Sequence, residues 1–97
     1  MTTVILPSAS DDLADGFAFY EDPGAGLGSY FLETLFAAID SLRLYGGVHR
    51  RVFGYHRLLS KRFPYAVYYS RESGTVFIRA VLDCRRDPAW IRKRLRS

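Results

Sequence analysis

The segment running from Lys61 to Pro88, KRFPYAVYYSRESGTVFIRAVLDCRRDP, constrains this chain more than any other. Pro64–Tyr69 and Thr75–Leu82 are rich in aromatic and β-branched residues, and Glu72-Ser73-Gly74 between them supplies turn chemistry, so the segment predicts an antiparallel β-hairpin. Side chains alternate across a strand, which places Tyr65, Val67 and Tyr69 on one face and Ala66 and Tyr68 on the other. At least one of these faces needs an apolar cover.

The preceding residues supply it. Val4-Ile5-Leu6 reads as a short strand at a sheet edge. Ser8 to Asp11 has capping-box spacing and predicts a helix from near Ala9, with Leu13, Phe17 and Tyr20 on its apolar face and Asp15 and Glu21 left to solvent. Gly16 weakens that helix without ending it. Asp22-Pro23-Gly24-Ala25-Gly26 is a break. Phe31, Leu35, Ala38, Ile39 and Leu42 then repeat at helical spacing as far as Tyr45-Gly46-Gly47, with Gly46 suited to the C′ position. Two helices in succession read as an α-hairpin, and the economical packing lays them on one face of an antiparallel sheet. Val52–Tyr55 reads as a short strand that continues to Leu59 after a bulge at Gly54. Asp87 as cap and Pro88 at the first helical position predict a short basic C-terminal helix. The expected fold class is α+β in the order βααβββ with a helical tail, built as one domain over residues 1–97.

Ninety-seven residues, 48% of them hydrophobic, suit one core. The 15% aromatic content helps so short a chain bury enough area. The opening residues lack a charged region and reach Pro7 too soon for a signal peptide, and no apolar run approaches membrane-spanning length, so a cytoplasmic location is expected. The single cysteine, Cys84, excludes an internal disulfide and reads as a small core residue. Charge is divided along the chain. Residues 1–48 hold seven acids against Arg43, a balance of −6, whereas residues 49–97 hold thirteen bases against Glu72, Asp83 and Asp87, a balance of +10. The basic half suits a polyanion such as nucleic acid, or equally an acidic protein.

Arg85 and Arg86, at the expected end of the last strand, and Arg79 within it are the first site candidates. Clustered guanidiniums clamp phosphates or carboxylates bidentately; alternatively Asp87 pairs with one of them while capping the helix. Arg57, Lys61 and Arg62, with Tyr68 and Tyr69, interleave cations and rings as nucleic-acid grips do, while Tyr65 and Tyr69 equally fit a core under the helices with the bases as a solvated rim. Trp90 reads as the anchor of the tail helix on the sheet. His49 and His56 have no nearby carboxylate in sequence and make weak general-base candidates. No residue spacing predicts a metal or a cofactor.

The blocks KRFPYAVYY and AVLDCRRDP, in this order, resemble the C-terminal half of the RelE/ParE superfamily of type II toxins, many of which carry an RFPY segment and end the next strand in a hydrophobic-His-Gly-Arg-Arg-Asp pattern. The resemblance is nearer the ParE-like branch. It implies a plasmid-stabilisation toxin that inhibits growth by binding a macromolecular target, DNA gyrase for ParE-like members, and that a cognate antitoxin neutralises. Such a toxin, taken alone, leaves an apolar groove uncovered. On this reading Arg62, Tyr68, Arg79, Arg85, Arg86 and Trp90 contact the target or the antitoxin. The RelE-like branch implies an alternative, a metal-independent, ribosome-dependent mRNA endonuclease in which Arg86 stabilises the phosphorane and Arg57 or Lys61 assists. Against it, Ala66 and Leu59 stand where such enzymes place an arginine and a lysine. Asp83 and Cys84 also replace their His-Gly, setting a carboxylate where transition-state charge is already negative. A third alternative is an inactive antitoxin-binding or regulatory module.

Overall fold

Why the hairpin forms is visible at its turn. The computed structural model describes residues 1–96, and in it β4 (Tyr65–Glu72) and β5 (Thr75–Asp83) are joined by Ser73 and Gly74 alone. Both turn residues have positive φ, 48° and 78°, as a two-residue hairpin connection that matches strand twist requires. Tyr65, Val67 and Tyr69 enter one core and Ala66 and Tyr68 another, as the alternation predicts. On β5 the alternation breaks. Tyr68 faces Ala80 but Tyr69 faces Ile78, which leaves Arg79 as the extra residue of a β-bulge. Val76 and Ile78 therefore share a face with Val81, while Ala80 and Leu82 take the other.

The order of elements is β1 (Thr2–Ile5), α1 (Pro7–Glu21), α2 (Leu27–Tyr45), β2 (Arg51–Val52), β3 (Tyr55–Leu59), β4, β5 and α3 (Pro88–Arg96). The five strands lie in the order β1-β5-β4-β3-β2. Pairing is antiparallel except for β1, an edge strand as expected, which runs parallel to β5. Phe53 and Gly54, both at positive φ, form a two-residue turn between β2 and β3. This corrects the expected bulge at Gly54: the chain reverses there, and the bulge of the sheet lies at Arg79. Leu13, Phe31, Leu35, Ile39 and Leu42 cover one face of the sheet, and Ile91 and Leu95 of α3 cover the second. The result is three layers, with both faces of β4 buried.

Helix α1 starts at Pro7, with Leu6 as a cap that makes no side-chain hydrogen bond, so the predicted capping box does not form. The polar residues of its first turns serve the sheet instead. Leu6 N–H donates to Ile78 C=O at 3.1 Å. Beyond that point β1 has ended and β5 would carry unpaired backbone groups, each costly to bury. Ser8 Oγ donates to Arg79 C=O at 3.0 Å and Asp12 Oδ2 accepts from Val81 N–H at 3.0 Å. Gly16, read as a weak point, is where Phe31 fits: a Cβ there would lie 2.4 Å from Phe31 Cζ. Glu21 is another correction. Rather than facing solvent, its carboxylate accepts from Gly26 N–H and Gly28 N–H at 2.9–3.1 Å, satisfying first-turn donors of α2 whose own cap is a glycine. At the far end of α2, Gly46 is the cap and Gly47, at φ 101°, takes the left-handed conformation expected of Gly46.

Candidate functional site

The end of β5 and the start of α3 hold the arginines singled out by the sequence, and they do different things. Arg85 grips Asp83 with two donors, Nε at 3.0 Å from Oδ1 and Nη2 at 2.7 Å from Oδ2. This pairing holds the Asp83 carboxyl below the ordinary carboxylate range and raises Arg85 further. Because Arg85 is exposed, the pair adds little stability. Arg86 forms no ion pair among the described residues and lies over the Trp90 ring, 4.1 Å from its centroid. Asp87 caps α3, its Oδ1 accepting from Ala89 N–H at 3.1 Å, so the arginine pairing considered for Asp87 falls to Asp83. Two expectations need correction here. Trp90 is exposed and α3 is anchored by Ile91 and Leu95, because those two, four residues apart, face the sheet. Cys84 is exposed rather than in the core, since β5 ends at Asp83 and the chain turns away.

A cleft of about 470 Å³ opens between α1, the end of β5 and α3, lined among others by Asp15, Phe19, Tyr65, Arg86, Trp90 and Arg94. Burial pushes the Tyr65 hydroxyl up to about 12, so it stays protonated at neutral pH. At its inner end Arg94 Nη2 donates to both Asp12 oxygens at 2.8–2.9 Å. Burial nevertheless outweighs the Val81 N–H and the guanidinium, holding the Asp12 carboxyl above its ordinary range. Arg79 sits at the bulge with its Nε buried and without a hydrogen-bond partner.

The other candidates are dispersed. Tyr68 is 2% exposed, lying in the core beneath α3 and directly across from Arg57. Lys61 and Arg62 line a groove of about 470 Å³ between α2 and β3 with Ala37, Leu58 and Leu59. Lys61 thus lines a different groove from Arg86, whereas Arg57 lies near enough to Cys84, two residues before Arg86, to act on its thiol. An apolar groove of about 400 Å³ lies along α1 and α2, lined by Ile5, Leu13, Phe17, Leu32 and Phe36, with Phe36 44% exposed.

One cluster was not anticipated. Tyr69, fully buried, accepts from Gly47 N–H at 2.9 Å and meets His49 Nδ1 at 2.5 Å. The hydroxyl and His49 Nδ1 share one hydrogen bond, donated by the one or the other according to the imidazole tautomer. His56 stacks on the same ring at 5.1 Å and donates from Nδ1 to His49 C=O at 2.6 Å. His56 and Tyr69 are cross-strand partners, so the pair becomes readable once the register is known; His49 comes from a loop and has no such mark. Burial and the neighbouring His56 lower the His49 pKa. The unfolded chain therefore binds protons more readily below about pH 6.5, and stability is full above that pH and falls as the pH drops towards the folded-state value. A thermal-unfolding series between about pH 5 and 8 is expected to show this decline, and His49→Gln to flatten it. Tyr69→Phe, which leaves Gly47 N–H without its acceptor, should cost about 1–2 kcal/mol at neutral pH.

No family model matches the sequence, and no curated protein does. Among solved structures, a chain of the chromosomal ParDE TA system from P. aeruginosa superposes with a TM-score of 0.69 at 15% identity, covering 84% of this chain and 92% of that one. The two chains share a fold. At that identity the ParDE likeness concerns architecture: the helical hairpin over one face of a five-stranded sheet. Among the described residues no helix is long and apolar enough to cross a membrane, and no group of three His, Cys, Asp or Glu side chains is placed to hold a metal ion.

Proposed function

We propose that this protein is the toxin of a type II toxin–antitoxin pair, of the ParE-like kind, which stops growth by binding a macromolecular target such as DNA gyrase and is neutralised by a cognate antitoxin. The observation that carries the reading is the fold shared with a chain of a ParDE system across nearly all of both chains, in a sequence that also bears the RFPY and RRDP blocks. The apolar groove along α1 and α2 supports it, since an amphipathic helix of a partner docks by laying its apolar face into such a channel. Leu13, Phe17, Leu32 and Phe36 supply the anchors, and Arg62 and Lys61, in the groove across α2, suit an acidic continuation of the same partner.

The endonuclease alternative asks Arg86 to act on a phosphate with help from Arg57 or Lys61, and the placing of Lys61 in a different groove from Arg86 does not favour it. Expression of the chain alone is expected to arrest growth, and co-expression of the antitoxin to relieve the arrest. Phe36→Glu should keep the toxicity but lose the relief. Gyrase supercoiling is expected to be inhibited by the purified protein. Cleavage of ribosome-bound mRNA that disappears in Arg86→Ala would establish the nuclease reading instead, and absence of any arrest would leave the inactive binding module.

A further inference from the structure

The division of charge along the sequence becomes a division between layers. All seven acids of residues 1–48 lie in α1, α2 and their connection. Helix α3, on the opposite face of the sheet, carries Arg92, Lys93, Arg94 and Arg96 without an acid, and the neighbouring β2–β3 hairpin carries Arg51 and Arg57 without one. The two elements are contiguous. Arg92 lies over the Phe53 ring at the hairpin turn, 5.3 Å from its centroid, Tyr55 Oη contacts Leu95 C=O at 3.5 Å, and Arg51 Nη2 donates to Gly54 C=O at 2.7 Å.

The acids nearest this face are already engaged: Asp12 by Arg94, Asp83 by Arg85 and Asp87 by the first turn of α3. Among the described residues, Arg51, Arg86, Arg92 and Arg96 therefore present guanidiniums that no carboxylate pairs with, on α3, the turn that leads into it and the hairpin that contacts it. Such a surface, with cations on one face and acids on the other, attracts and orients a polyanion.

We infer that the α3 and β2–β3 face binds the phosphate backbone of a nucleic-acid duplex. The rings decide between duplex and single strand. Single-strand readers stack unpaired bases on open aromatic faces, but here Phe53 and Trp90 each carry an arginine and Tyr68 is buried beneath α3. The face offers charge and N–H donors instead, which suits backbone contacts that carry no sequence information. A rigid helix–hairpin surface also matches a stiff polyanion better than a flexible acidic peptide, whose ordering opposes binding. This inference does not rest on the toxin reading, because its test measures binding by the purified protein and not growth.

The test is fluorescence anisotropy with short random-sequence duplex DNA, duplex RNA, single-stranded RNA and a polyglutamate peptide across a salt series. Either duplex is expected to bind more tightly than the single strand or the peptide, with affinity falling steeply with salt. Arg92→Gln/Arg96→Gln should weaken duplex binding on the order of 10- to 100-fold at about 100 mM salt and make the logarithmic salt slope shallower by about 2. Arg92→Lys/Arg96→Lys, which keeps the charge, should largely restore both. Arg43→Gln, on the acidic layer, should change neither. Preference for the single strand, equal binding of polyglutamate, or an unchanged slope in the folded double glutamine variant overturns the inference.

Discussion

Phe31→Ala is expected to lower the unfolding free energy by about 3–5 kcal/mol, a large share of the roughly 5–15 kcal/mol that holds a domain of this size together. Phe31 is fully buried and its ring is shared by α1, the loop before β4 and β4 itself. It stacks on Tyr20 of α1 at 5.2 Å and meets Phe63 and Tyr65 edge-on at 5.2 and 4.9 Å, contacts that add to the area it removes from water. Gly16 is shaped to it from below. Truncation leaves a void that the rigid neighbours cannot close, whereas Phe31→Leu, which keeps most of the volume, should cost less than half as much. Chemical denaturation by urea measures both, with an unchanged m value expected if only stability has moved. Equal losses for the two variants would mean that the ring contacts, not the filled volume, hold α1 on α2.

The second large effect is at Asp12. Asp12→Ala removes the acceptor of Val81 N–H and the carboxylate of Arg94 together, and is expected to destabilise by roughly 2–4 kcal/mol. Asp12→Asn should cost much less, because an amide oxygen still accepts from Val81 and because the ionised carboxyl is itself disfavoured by its surroundings. The pH dependence follows with a definite sign. Since burial raises the folded-state pKa of Asp12, its contribution is fullest below the unfolded value and declines as pH rises through the folded one. Acid unfolding of the protein therefore should not begin at this residue, and the advantage of wild type over Asp12→Asn should not shrink as pH falls. A shrinking advantage below about pH 4 would show that the guanidinium outweighs burial after all.

Much of the architecture could be read from the residues, and the reason is local. Tyr65, Val67 and Tyr69 alternate without interruption, the Phe31 to Leu42 stripe holds one helical period, and Ser73-Gly74 and Asp87-Pro88 are turn and cap pairs whose preferences need no tertiary help. What stayed hidden depended on partners remote in sequence. Ser8 and Asp12 look like helix-capping residues until the end of β1 leaves Arg79 and Val81 needing hydrogen bonds. Glu21 looks solvent-facing until the chain returns Gly26 and Gly28 to it. The bulge at Arg79 cannot be seen in a run of residues that all tolerate a strand, although it decides which side chains enter which core. The candidate arginines were identifiable as cations, but their division between an ion pair, a ring and an open surface is set by where β5 stops.

The parallel pairing of β1 with β5 also bears on how the molecule comes into being. Thr2 meets Thr75, and Ile5 meets Ile78, so β1 acquires its neighbour only after the long stretch of chain between them has been made. Closing so long a loop is entropically slow. Until it happens, the folding chain holds an orphaned edge segment and half-covered helices, and completion of the native sheet is a late event.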